Sequence, residues 1–148
     1  MIFNDLTPVE MEIVEQSARQ IAFTRGLRLV EEKNDGDAFF LIIHGRAEVR
    51  KAMDIGKYRR LAELGPCDVF GEICFLGQPT RSASVVALTD GLALEFTRAG
   101  FERLVQQYPA IGLKTYRGLA RELAQRLARI DEDLRDALLW ALNESPPR

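Results

Sequence analysis

The segment LRLVEEKNDGDAFFLIIHGRAEVRK, residues 27–51, decides the class of fold. It contains three short apolar runs, LRLV, FFLII and AEV, and the gaps between them carry the turn-forming sequences NDGD at 34–37 and HG at 44–45. Runs of this length are typical of strands, and Gly, Asn and Asp are the residues that chain reversals favour. The alternation continues to residue 96 through YRRLAEL, SASVVAL and LALEF. Residues 23–97 are therefore predicted to form an antiparallel β sandwich or barrel.

Helices are predicted on both sides of this β unit. Within residues 6–22, the sequence TPVE at 7–10 forms a capping box with proline at the first helical position, and apolar residues recur on one helical face up to Ala22. Residues 98–143 predict a short helix that ends near Gln107 and a long helix from Pro109 to about Asn143. All 148 residues are interpreted as a single domain.

The long C-terminal helix carries an apolar seam. Its residues recur with the 4–3 spacing of a heptad repeat, at Leu123, Leu127, Ile130, Leu134, Ala137 and Ala141. The seam could pack on the protein's own β unit or on a second copy of the chain. We favour a homodimer, because the seam runs past the length that a small β unit can cover.

The composition argues against several classes of protein. Of the 148 residues, 47% are hydrophobic and 28% are charged, and the net charge is −2, which disfavours direct binding to DNA or RNA. No apolar run is long enough to cross a membrane, and we expect no signal peptide. Cys67, Cys74 and His44 match neither a disulfide framework nor a metal site. A cytoplasmic protein without a metal or other cofactor is expected.

One stretch, FGEICFLGQPTRSASV at residues 70–85, carries side chains suited to a ligand. Arg81 suits a phosphate, because a guanidinium donates bidentate hydrogen bonds to phosphate oxygens. Glu72 suits sugar hydroxyls, which a carboxylate accepts as hydrogen-bond donors. Gly71 permits close approach of the backbone, and free N–H groups at the start of a helical turn favour an anion. Together these features fit a sugar fused to a singly charged phosphate.

Residues 70–85 closely resemble the phosphate-binding cassette of cyclic nucleotide-binding domains, which occur in the catabolite activator family, in regulatory subunits of cAMP-dependent kinases and in cyclic-nucleotide-gated channels. The resemblance extends from about residue 6 to residue 143 and includes Gly26, Gly36-Asp37, Phe39-Phe40 and Gly45. It implies a mainly β fold with flanking helices: an antiparallel jelly-roll-like β-barrel with an N-terminal helix and a long C-terminal helix. In the transcription-factor branch a helix-turn-helix domain follows the long helix, and we expect this chain to lack it and not to bind DNA directly.

The resemblance also implies a role for each residue of the cassette. Arg81 would pair with the cyclic phosphate, and Glu72 would accept the ribose 2′-hydroxyl. The backbone N–H groups of Gly71, Ser82 and Ala83 would complete the contacts with phosphate and ribose. Further residues are expected to line the pocket (Leu61, Val69, Phe70 and Ile73) or to form a lid over the base (Tyr116, Leu119 and Leu123). Ser82 leaves the choice between adenine and guanine open.

The sequence leaves three functions to distinguish. We favour a non-enzymatic sensor of a cyclic nucleotide, cAMP before cGMP, in which the C-terminal helix closes over the base and the output passes through an effector protein or the oligomeric state. The alternative is a dimerisation or protein-docking module that keeps the fold without a ligand. A metal-dependent, cupin-like enzyme is disfavoured, because such sites use several histidines and His44 is the only one.

Overall fold

The N-terminal helix is shorter than the sequence predicts. In the computed structural model, which describes residues 1–143, helix α1 spans Pro8–Ser17. The capping box is confirmed: the Glu10 N–H donates to the Thr7 hydroxyl and the Thr7 N–H donates to the Glu10 carboxylate, each at 3.2 Å. The prediction of a helix up to residue 22 is wrong, because Arg19–Phe23 forms a strand that pairs with Gly91–Phe96. Pairing with a distant strand outweighs the weak helical periodicity there.

Within residues 1–143, eight strands form two four-stranded antiparallel sheets. The strands are β1 (Arg19–Phe23), β2 (Arg28–Val30), β3 (Phe39–His44), β4 (Ala47–Ala52), β5 (Tyr58–Leu64), β6 (Val69–Phe70), β7 (Ser84–Ala87) and β8 (Gly91–Phe96). The first sheet has the order β1-β8-β3-β6 and the second the order β2-β7-β4-β5. The predicted jelly-roll-like class is confirmed, and β1 and β6 are strands that the sequence analysis did not predict.

Within residues 1–143, one helix follows β6 and two more follow β8. They are α2 (Glu72–Phe75), α3 (Arg98–Gln107) and α4 (Pro109–Asn143). The predicted end of the short helix at Gln107 and the predicted start of the long helix at Pro109 are confirmed. Thr97 caps α3, since its hydroxyl accepts a hydrogen bond from the Gly100 N–H at 3.1 Å.

An aromatic cluster centred on Phe39 joins the first sheet to the helices. The Phe39 ring centroid lies 4.7 Å from the ring centroids of Phe75 and Phe96 and 6.0 Å from that of Phe101. Such aromatic pairs each add about 0.5–1.5 kcal/mol to the energy of burying the rings. Because Phe75 belongs to α2, this cluster fixes the helical turn of the cassette against the sheet.

Helix α4 has a buried first half and an exposed second half. Ile111, Thr115 and Leu119 pack in the core, whereas the seam residues Leu127 and Ile130 are exposed, as are those beyond them in the described part of α4. The second half of the seam therefore does not pack on the chain's own β unit, and the homodimer stays a prediction. No helix among residues 1–143 is both long enough and apolar enough to cross a membrane.

We predict that Gly118→Ala destabilises the protein, because an added Cβ would lie 1.9 Å from the carbonyl oxygen of Ile2. Alanine favours a helix over glycine by about 1 kcal/mol, whereas forced repacking costs about 1–3 kcal/mol. Because the nearest atom is a backbone oxygen, we expect a repacking cost at the upper end of this range and a net loss of about 2 kcal/mol in the free energy of unfolding, measured by denaturant titration. Gly65→Ala is the control, since a Cβ there meets no atom within 4 Å. Equal stability of the two variants would contradict the close packing of α4 on the N-terminus.

Candidate functional site

The second residue of the cassette is a glycine whose backbone conformation few other residues adopt. Gly71 lies between β6 and α2 with φ +82°. An added Cβ would lie 2.8 Å from both the Ala38 carbonyl oxygen and Nη1 of Arg81. Gly71 is therefore required twice, for its left-handed backbone and for the space it leaves to the Arg81 side chain.

The Arg81 side chain is buried, with 8% of the residue exposed. Nη1 donates to the carbonyl oxygens of Ala38 at 2.8 Å and Gly71 at 3.1 Å. Gly36 lies against the same side chain, since a Cβ there would be 2.4 Å from Nε of Arg81. Among residues 1–143, neither Nε nor Nη2 donates to a protein acceptor. The backbone thus holds one nitrogen of the guanidinium, and the other two have no protein acceptor among residues 1–143.

Three backbone donors lie on the same segment. The N–H groups of Gly71, Ser82 and Ala83 donate to no acceptor within the described part of the chain. These are the three N–H groups that the sequence analysis assigns to the phosphate and ribose. The neighbouring Arg81 N–H, in contrast, donates to the Asn34 carbonyl at 2.8 Å and so anchors the cassette to the turn before β3.

Glu72 is buried, with 4% of the residue exposed, and forms an ion pair with Arg126 of α4. The sequence analysis did not identify Arg126 as a site residue. Its only local signal is its position three residues after Leu123, a predicted lid residue, which places both side chains near one face of the helix. The ion pair shows that α4 already contacts the cassette at the predicted sugar acceptor.

The predicted pocket-lining residues differ in burial. Val69 and Phe70 are buried, and the Phe70 ring stacks on that of Phe40 with 4.8 Å between centroids. Ile73 is half-buried in α2, whereas Leu61 on β5 is 53% exposed and belongs to none of the core clusters formed by residues 1–143.

A cavity of about 240 Å³ lies between β6 and α4, and Val69, Arg126 and Arg129 are among its lining residues. This volume is below the roughly 300–1,000 Å³ of most small-molecule sites. A separate cleft of about 530 Å³ is lined by Gly36, Pro79 and Arg98, among others, but by neither Glu72 nor Arg81. Neither Glu72 nor Arg81 lines the cavity beside α4 either, and Arg126 is the member of the ion pair that does.

The predicted lid residues lie where α4 leaves the core. The Tyr116 ring centroid is 6.1 Å from that of Phe75 in α2, so this residue links α4 to the cassette. Leu119 is 1% exposed and packs in the core, and Leu123 is half-buried. Partial burial, with a further contribution from the charge of Glu102, raises the pKa of Tyr116, so its hydroxyl stays neutral at physiological pH.

Comparisons with known sequences agree on one family. A profile of the family described as "cyclic nucleotide-binding domain" matches residues 20–108. The cyclic AMP receptor protein of Thermus thermophilus is 28% identical over 145 residues, which cover 95% of this chain and 67% of the relative. A cAMP-dependent protein kinase regulatory subunit of Aspergillus fumigatus is 36% identical over 107 residues, which cover 70% of this chain and 24% of the relative.

Solved structures give the same result. The catabolite activator protein of Thermus thermophilus superposes with a TM-score of 0.82 at 30% identity, over 93% of this chain and 62% of that chain. The regulatory domain of Toxoplasma gondii PKA, crystallised with cAMP, superposes with a TM-score of 0.62 at 25% identity, over 69% of this chain and 39% of that chain. The chain thus spans about two thirds of the length of the Thermus relatives and less of the kinase subunits.

We predict measurable coupling between Glu72 and Arg126 in a double-mutant cycle with Glu72→Gln and Arg126→Gln. Because the carboxylate is buried, we expect a coupling energy of about 1–2 kcal/mol in the free energy of unfolding, above the roughly 0.2–1 kcal/mol of exposed pairs. The control is the same cycle on Arg28 and Glu31, whose side chains are about half exposed and 4.0 Å apart. A coupling no larger than that of the control would mean that α4 is not held to the cassette by this contact.

Proposed function

Because the chain belongs to the cyclic nucleotide-binding domain family, we propose that it is a cytoplasmic, non-enzymatic sensor that binds cAMP, or less favourably cGMP. The observation that carries this proposal is the state of the cassette. A buried guanidinium keeps two nitrogens without a protein acceptor, next to a segment whose Gly71, Ser82 and Ala83 N–H groups also lack one among residues 1–143. Such a group of donors suits a phosphate anion.

Each part of the ligand has a proposed partner. The cyclic phosphate pairs with Nε and Nη2 of Arg81 and with the backbone N–H groups of Ser82 and Ala83. The ribose 2′-hydroxyl donates to Glu72, and the Gly71 N–H completes this contact. Val69, Phe70, Ile73 and Leu61 form the apolar wall of the proposed pocket. The relatives named for cAMP support the ligand class, and Ser82 leaves the choice of base open.

Binding is proposed to act on α4 through Glu72. The ribose hydroxyl and Arg126 use the same carboxylate, so the ligand must displace the guanidinium or share Glu72 with it. Closure of α4, with Tyr116, Leu119 and Leu123 as the proposed lid, favours binding only if the ligand binds the closed state more tightly than the open state. The Tyr116–Phe75 contact gives α4 a second connection to the cassette.

The output is proposed to pass through a homodimer formed by α4, or through an effector protein. The seam residues Leu127, Ile130 and Leu134 are exposed in the single chain, and a repeated apolar seam is the usual basis of pairing between helices. The net charge of −2 over these 148 residues supports an output other than direct DNA contact.

One observation favours a second candidate, a dimerisation or protein-docking module without a ligand. The Glu72 carboxylate already forms an ion pair with Arg126. The cavity that Arg126 lines has a volume of about 240 Å³, below that of most small-molecule sites. A module of this kind would dimerise but would show no affinity for cAMP or cGMP at millimolar concentration.

We predict that Arg81→Ala weakens cAMP binding by about 1.5–3 kcal/mol, the range of hydrogen bonds to charged groups. Calorimetric titration of the wild type with cAMP, cGMP and linear AMP comes first, and the variant is then titrated with the preferred ligand. Arg81→Lys keeps the charge but cannot donate to the backbone and the phosphate together, so we expect an intermediate loss.

The control for Arg81 is Arg103→Ala on the exposed part of α3, which should bind as the wild type does. Thermal melting of each variant without ligand separates loss of folding from loss of the site. Equal affinity of the wild type and Arg81→Ala would overturn the assignment of the site. No binding by the wild type would favour the docking module.

We predict that Leu134→Lys makes the protein monomeric at concentrations at which the wild type is a dimer, because a charge would be buried in the seam. Sedimentation velocity measures the change. Leu139→Lys is the control, since Leu139 is exposed on α4 but lies off the heptad positions. A monomeric wild type, or an equal effect of both substitutions, would contradict the proposed interface.

A further inference from the structure

Lys51, on β4, contacts the cassette at its C-terminal part, whereas Arg126 contacts it at Glu72. Its Nζ donates to the Ser82 carbonyl oxygen at 2.7 Å and forms an ion pair with Glu32 at 2.7 Å. This lysine lies in the second sheet, whereas the first turn of the cassette follows a strand of the first sheet. The exit of the cassette leads into β7, which pairs with β4 in this sheet, so Lys51 connects the exit to the neighbouring strand.

Glu32, the partner of Lys51, is itself held in place by hydrogen bonds. Its side chain is 10% exposed, its carboxylate accepts a hydrogen bond from the Ala52 N–H at 2.9 Å, and its own N–H donates to the Ser84 hydroxyl at 2.9 Å. The hydrogen bond from Lys51, and after it the one from Ala52, lowers the pKa of Glu32, so the carboxylate is ionised at neutral pH. Lys51 is thus held in place by a fixed negative charge.

The contact has a geometric consequence for the next residue. The peptide between Ser82 and Ala83 is planar and trans, so its C=O and N–H point in opposite directions. When Lys51 holds the Ser82 carbonyl, it also fixes the direction of the Ala83 N–H, which has no acceptor in the described part of the chain. A cation on the carbonyl oxygen further polarises the peptide and strengthens its N–H as a donor.

We propose, on the basis of the proposed function, that Lys51 is a positioning residue for the ligand phosphate: it aims and polarises the Ala83 N–H toward one exocyclic phosphate oxygen. Glu32 holds the lysine in this role. Arg81 and Lys51 then act on the two sides of the same short segment, Arg81 by direct pairing and Lys51 through the peptide that follows Ser82.

The test compares Lys51→Met with Lys57→Met by calorimetry against cAMP. Both substitutions remove one lysine charge from the β4–β5 hairpin, and the Lys57 side chain makes no hydrogen bond or ion pair within residues 1–143. We expect about a tenfold loss of affinity for Lys51→Met and less than about a twofold loss for Lys57→Met. Lys51→Arg, which can donate to Ser82 and pair with Glu32, should recover most of the affinity.

A second measurement separates positioning from a merely structural effect. In the two phosphorothioate diastereomers of cAMP, one or the other exocyclic oxygen is replaced by sulfur, a weak hydrogen-bond acceptor. The wild type should bind the two with unequal affinity, and Lys51→Met should change that ratio, because the Ala83 N–H faces one oxygen only. A lower affinity with an unchanged ratio would overturn the positioning role.

The failure of this inference is distinguishable from the failure of the proposed function. If the wild type binds cAMP and Lys51→Met binds it equally well, only the role of Lys51 is overturned. If the wild type binds neither cAMP nor cGMP, both proposals fail. Should Lys51→Met not fold, Glu32→Gln removes the charge that holds the lysine while keeping the side-chain shape, and unchanged affinity and ratio in that variant would overturn the proposal.

Discussion

The hydrogen bonds from Arg81 to two backbone carbonyls are the constraint on which the cassette depends. A charged group loses its hydration on burial, at a cost of several kcal/mol, unless hydrogen bonds replace the water. The carbonyls of Ala38 and Gly71 supply those bonds through Nη1. Because one nitrogen is committed to the backbone, the guanidinium cannot rotate freely, and Nε and Nη2 keep a fixed direction. The need for space around this group also explains the glycines at 36 and 71.

The same arrangement limits how much of the site must be ordered when a ligand binds. Phe75 fixes α2 to the aromatic core, and Arg98 donates to the Phe75 carbonyl at 3.2 Å at the end of this helical turn. Lys51 holds the segment after Arg81. A segment fixed at both ends loses little conformational entropy on binding, so more of the interaction energy appears as affinity. The second half of α4, in contrast, is exposed and does not pack in the core.

The candidate site residues predicted from the sequence are mostly ones that lie close together along the chain. Glu72 and Arg81 are nine positions apart in one segment, and the residues between them carry the turn and helix signals that place them. The contacts of Arg126 and Lys51 with the cassette were not predicted. Arg126 belongs to a distant helix and Lys51 lies 31 residues before Ser82 on a neighbouring strand, and no local pattern encodes either contact. The helix predicted up to residue 22 failed for a related reason. Arg19–Phe23 has enough apolar periodicity for either structure, and the free edge of β8 decides in favour of a strand.

The proposed sensor and the alternative docking module differ in how strongly Glu72 pairs with Arg126. If a ligand must take Glu72 from Arg126, its apparent affinity is its intrinsic affinity reduced by the fraction of molecules in which the pair is open. A strong pair makes that fraction small and leaves a domain that keeps the fold but binds ligand weakly. A weak pair permits tight binding, but then the ligand changes little about α4, because the helix was not held to the cassette beforehand. A sensor that moves α4 therefore needs an ion pair of intermediate strength. Here a partly exposed guanidinium faces a buried carboxylate, an arrangement between the exposed pairs that contribute little and the fully buried pairs that are costly to break.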